Sequence, residues 1–177
     1  MVCQWRLPKE DSSMKDFEWE DLKDPLAPPE ISVKIIRKEC GRFTEYGYLN
    51  ENGKFTRHRE DGPARVFAHS MEEWYFNGFL HREDGPSVIW GDGSEYWNLN
   101  GFSHRVGGPA ITNRNGPEYW CLNGLRHRLG SPAVIYPSGA EYWYVRGVLH
   151  REDGPAITQA DGTRKWFVNG VFKRAEK

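Results

Sequence analysis

Histidine followed by arginine occurs at His58-Arg59, His81-Arg82, His104-Arg105, His127-Arg128 and His150-Arg151, each pair 23 residues after the last. In the outer copies Glu and Asp follow at once, as in Glu83-Asp84 and Glu152-Asp153. Histidine beside a carboxylate can serve acid–base catalysis or bind zinc. The spacing argues against both. Zinc needs its ligand atoms about 2.0–2.2 Å from one ion, whereas equivalent side chains of successive hairpins lie two strands, roughly 10 Å, apart. The acids also vanish in the two central copies, where Val106-Gly107 and Leu129-Gly130 stand, and no nucleophile recurs beside the histidines. No catalytic residue, metal or cofactor is expected.

The pair has a structural use. The imidazole would pack on a neighbouring tryptophan and satisfy loop backbone groups, while arginine pairs with the adjacent acid. In the central copies Arg105 and Arg128 lose those acids, and Arg114 and Arg126 add charge nearby. His104, Arg105, Arg114, Arg126, His127 and Arg128 therefore form a candidate site for a small anion such as a nucleotide, because a guanidinium offers bidentate hydrogen bonds. A second set comprises Tyr96, Tyr119, Tyr142 and Tyr144 with Arg105 and Arg128. Tyrosine and arginine are enriched in protein interfaces, so these six are the candidate partner-binding residues.

Both sets must be positioned by a repeat. Trp74, Trp97, Trp120, Trp143 and Trp166 keep the 23-residue period, as do Gly78, Gly101, Gly124, Gly147 and Gly170. Gly-Pro follows each His-Arg pair except at Ser131-Pro132. Such a period marks an array of supersecondary units. Each unit holds a short β-branched run (Val88-Ile89), a turn (Asp92-Gly93), an aromatic run (Glu95-Tyr96-Trp97) and an Asn-Gly turn (Arg146-Gly147 in one copy), the composition of hairpins. Alternation puts Glu95, Trp97 and Leu99 on one face and Tyr96 and Asn98 on the other. Tryptophan is expected to form the core ladder and tyrosine a lightly covered second face.

The pattern W-x-x-N-G-x-x-H with this period and a downstream D-G-x-x-Y/W resembles the membrane occupation and recognition nexus (MORN) repeat, over about residues 45–173. Arginine stands here where that repeat usually has glycine after histidine, and Gly-Pro arrives three residues later. This HREDGPA form is similar to repeats of bacteriophage and large-virus proteins. The resemblance implies a single-layer hairpin meander used for binding or scaffolding without catalysis. The expected fold is all-β: an elongated, twisted antiparallel meander of about six hairpins.

Composition narrows the partner. A net charge of −1 with 28% charged residues lacks the basic excess that a generic nucleic-acid binder needs. Three cysteines without metal or redox spacing suit a reducing cytoplasm, that of a host included, and no stretch is long and apolar enough to span a membrane. The expected organisation is an acidic arm or short capping segment over 1–30, with a weak helix signal from Ser13 to Leu22. A strand over 31–35 and a divergent first repeat through 57 follow, then five repeats over 58–173 and a tail from 174 to 177. The expected function is recognition of a protein, with a viral or phage inhibitor of a host factor as the specific case. Sequestration of a small anion is the alternative, and self-association is left open.

Overall fold

The computed structural model describes residues 34–177, and every regular element among them is a β-strand. The arm over 1–30 and its helix signal lie outside the described residues. Six hairpin units follow one another over 43–67, 72–89, 95–112, 118–135, 141–158 and 164–176. Their outer strand segments join one long antiparallel sheet in chain order, open at both ends and not closed into a barrel, while the segments beside the tight turns of the second to fifth units pair as separate two-stranded ribbons. This is the all-β meander that the period implied.

The unit at 95–112 shows how the sequence makes it. Glu95–Tyr96 and Asn98–Leu99 are strand segments on either side of Trp97. Asn100 and Gly101 then turn the chain with φ of 48° and 83°. Both angles lie in the left-handed region of a type I′ turn, which matches the twist of the flanking strands. On return, Phe102 and Ser103 pair with Leu99 and Asn98, and Ile111 and Thr112 pair with Tyr96 and Glu95. Trp97 is the pivot. Its carbonyl accepts the His104 N–H at 3.0 Å while its own N–H donates to the Ala110 carbonyl at 2.7 Å. Residues 105–109 therefore leave the ladder as a loop, and this loop is the R-x-x-G-P segment of the repeat, R-x-x-S-P at Arg128–Pro132.

Burial follows the tyrosine face more closely than expected. Pairing runs Val88–Tyr96–Ile111–Tyr119–Val134–Tyr142–Ile157 in direct register, and Val88, Val134 and Ile157 are buried. Ala64, Ala110, Ala133 and Ala156, where each loop re-enters the ladder, are fully buried. Ser87 fills that place in the second unit, donating to the Tyr96 carbonyl at 3.1 Å and accepting from Asn98 Nδ2 at 2.8 Å. The tryptophans are half-buried, covered by loops and not by a second sheet. The expected tryptophan core ladder is thus corrected: the sheet has one layer, so only loops can cover that row.

The ends depart from the expected boundaries. Lys34 and Ile35 lie outside any strand, and the first strand is Ile36–Glu39. Pairing is counted from the hairpin turn at Gly41, where Glu39 meets Thr44, and side-chain alternation says nothing about that limit. Residues 174–176, expected as tail, pair with Arg164, Lys165 and Trp166. In this last unit the loop is reduced to a bulge at Trp166/Phe167.

Candidate functional site

Each of the six units lays an arginine on the ring at its strand junction. The guanidinium carbon lies 4.2 Å from the Tyr46 centroid for Arg59 and 4.3 Å from Trp74 for Arg82. It lies 3.8 Å from Trp97 for Arg105 and 3.5 Å from Trp120 for Arg128. The last two units repeat the stack, with Arg151 3.8 Å from Trp143 and Arg174 4.0 Å from Trp166. In the five looped units Nη1 also donates to the proline carbonyl four residues on, at 3.2 to 3.4 Å. A Cβ at Gly108 would come 2.8 Å from the Arg105 guanidinium carbon, so glycine before proline lets the flat group lie across the loop.

The acids add to this arrangement without creating it. Arg59, Arg82 and Arg151 donate through Nε to Asp61, Asp84 and Asp153 at 2.7, 3.0 and 2.8 Å. These hydrogen bonds, then the positive charge, hold the three carboxyls below their usual range. Arg128 keeps the same stack without an aspartate. Burial lowers its pKa, and the Glu118 carboxylate on the same face opposes that shift.

The histidines bind the next unit. Nδ1 of His58, His81, His104, His127 and His150 accepts the backbone N–H of Asn77, Asn100, Asn123, Arg146 and Asn169 at 3.1 to 3.2 Å. Each donor is the positive-φ residue of the following unit's tight turn. At His81 and His104 the Asn100 and Asn123 Oδ1 atoms lie 2.8 and 2.7 Å from the same Nδ1, which accepts the backbone N–H in one tautomer and donates to the oxygen in the other. In the acid-bearing units Nε2 faces Glu60, Glu83 and Glu152 at 3.4, 3.8 and 4.0 Å. Histidine satisfies backbone N–H groups and the outer arginines pair with the adjacent aspartates, as expected, but the packing on tryptophan belongs to arginine and not to histidine. Histidine is the last ladder residue, beside that turn, whereas arginine is the first loop residue and folds back over the ring.

The six-residue anion set does not converge. Arg105 and Arg128 lie in loops on the tryptophan face, and His104 and His127 are committed to turns. Arg114 sits in an outer turn, where its N–H donates to Ser94 Oγ at 3.1 Å. Arg126 pairs opposite Cys121 and so lies on the tyrosine face. The sheet separates Arg126 from Arg105 and Arg128, so one small anion cannot reach all three. In the central loops Val106 and Leu129 stand at the surface, 75% and 72% exposed.

The tyrosines, by contrast, share one surface. Tyr96, Tyr119 and Tyr142 are half-buried in the row described above, with Tyr144 one ladder step away opposite Leu149. Trp90 and Tyr136, which sequence reading left out, extend it, with centroids 6.0 Å from Tyr96 and 5.6 Å from Tyr142. Continuing the alternation from Val88 to Trp90 and from Val134 to Tyr136 would have found them. Tyr96 donates its hydroxyl to Asn113 Oδ1 at 3.3 Å. Burial, then the Tyr136 hydroxyl, pushes the Tyr119 pKa up. Two open depressions mark this face. One, of about 460 Å³, lies among Trp90, Asp92, Ser94, Tyr96, Asn113 and Arg114. The other, of about 250 Å³, lies among Ser103, Ile111, Tyr119, Cys121 and Arg126.

Neither models of protein families nor curated proteins give a match to this chain. Among the described residues no helix is long and apolar enough to cross a membrane. No group of three or more His, Cys, Asp or Glu among them could hold a metal ion.

Proposed function

We propose that the chain is a non-catalytic interaction module that binds a segment of another protein on its tyrosine face. The row Tyr96–Ile111–Tyr119–Val134–Tyr142 carries this reading. It presents three large amphipathic rings, half-exposed, on a backbone held by ladder hydrogen bonds from both sides. Such rings lose little side-chain entropy on binding, and exposed apolar patches of this kind mark interaction sites. The resemblance to MORN repeats and their viral variants supports the same class, with a phage or viral inhibitor of a host factor as its setting. Sequestration of a nucleotide gains no support from the geometry, because the arginines invoked for it lie on two faces.

The test is partner capture by the full chain and by a Tyr119→Ala/Tyr142→Ala variant, with circular dichroism confirming that both are folded. Capture by the wild type and loss in the variant is expected. Equal capture would move binding to another surface, and no capture by the wild type would remove the reading.

A further inference from the structure

Arg126 differs from every other arginine in the repeat grid. Its guanidinium carbon lies 5.3 Å from the Tyr119 centroid and 5.4 Å from that of Tyr144. It is thus held between rings of two successive units, yet the side chain is exposed. It rims the depression over Ser103, Ile111 and the buried Cys121. Burial raises the Cys121 thiol pKa, so the floor carries no charge to offset the arginine. The same column of the repeat holds Arg57, which Glu45 neutralises at 3.0 Å. No carboxylate pairs with Arg126 among the described residues.

The wider face explains why. Register and alternation put Glu95, Glu118 and Glu141 on the tryptophan side. No strand residue of the tyrosine face between Val88 and Ile157 is acidic. In a chain with 25 acidic and 24 basic residues, Arg126 is the one cation among the described strand residues of this face between Val88 and Ile157. A partner carboxylate would complete it, because a guanidinium stacked on aromatic rings keeps its N–H edge free for bidentate hydrogen bonds.

We infer that Arg126, clamped by Tyr119 and Tyr144 above the Cys121 depression, is the point at which this face binds an Asp or Glu side chain of an acidic peptide segment. This rests on the proposed binding role of the tyrosine face and names the partner's chemistry. The peptide's carboxylate occupies the guanidinium edge, and its neighbouring apolar side chains lie along the Tyr–Val/Ile row.

The experiment is selection of a random linear-peptide phage library on the immobilised full chain. Enriched peptides are then synthesised, and their affinities measured for wild type, Arg126→Gln, Arg126→Lys and Tyr119→Ala/Tyr142→Ala, with melting curves showing each variant folded. Expected are peptides bearing an essential Asp or Glu, with affinity falling as salt rises. They should lose about tenfold or more on Arg126→Gln, with Arg126→Lys between. Failure to enrich any peptide, or peptides without a required acid, would overturn the inference, as would equal affinity for Arg126→Gln. Displacement by inorganic phosphate or acetate at the peptide's own affinity would overturn it too, since a free ion would then suffice. Neutral peptides lost only on Tyr119→Ala/Tyr142→Ala would leave the binding face standing while removing the role of Arg126.

Discussion

A guanidinium on an aromatic face is worth roughly 0.5–2 kcal/mol depending on its desolvation, and here it recurs in all six units, on Tyr46 in the first and on tryptophan in the other five, with the nearby aspartate present or absent. Arg105 and Arg128 therefore make the same ring and proline-carbonyl contacts as their outer counterparts without the aspartate. The histidines raise a sharper expectation. At His127, whose turn partner is Arg146, Nδ1 accepts the turn N–H only while it carries no proton, so protonation removes that bond to the next unit. At His127 burial, then the Arg146 charge, lowers the pKa below the ordinary 6.5. The folded state therefore binds fewer protons than the unfolded one. Its contribution is complete above about pH 6.5 and is lost as pH falls from there towards the lowered folded value, by about 1.4 kcal/mol per pH unit for one proton. Urea unfolding across that window should show this slope, and His127→Gln should flatten it. An unchanged slope would mean that another group titrates.

Within an element, the tight turn sets the register of each hairpin. Four of the five such turns that follow a tryptophan use Asn at φ of 47° to 50°, while Arg146 stands at 51° in the fifth. Any Cβ crowds the following carbonyl in this region, and Asn and Asp offset that cost with a local side-chain hydrogen bond that arginine lacks. Arg146→Asn keeps the backbone N–H that His127 accepts and restores the favoured Asn-Gly pair. It should raise unfolding stability by about 0.5–1 kcal/mol, read as a higher urea midpoint at unchanged slope. A lower midpoint would show that the Arg146 side chain contributes more than its backbone strain costs.

At the scale of the molecule, hydrogen bonds pass from each unit to its neighbours, and among the described residues no separate sheet joins distant units. Stability should then be close to a sum over units and interfaces. Deleting residues 95–117 joins Ser94 to Glu118, which occupies the same place in its unit as Glu95. The shortened chain should keep a β-type circular dichroism spectrum and a cooperative melt, with a lower midpoint and fewer interfaces. Collapse to an unfolded spectrum would show that the sheet depends on contacts beyond adjacent units.

Repetition and alternation are local properties, so the sequence by itself determined the unit, its two turns and the shared face of Tyr96, Tyr119 and Tyr142. It could not say what covers the tryptophans. That depends on where the return strand leaves the ladder, and only the paired structure shows Trp97 bonded to both His104 and Ala110 across the loop. The same offset puts Arg105 on one face and Arg126 on the other, although both read as one basic cluster along the chain. It also sets Arg126 between Tyr119 and Tyr144 of different units, 25 residues apart in sequence. Side-chain direction follows from a strand's own period of two. Contact across units follows from register, which is decided by loop length and hydrogen bonding in the assembled sheet.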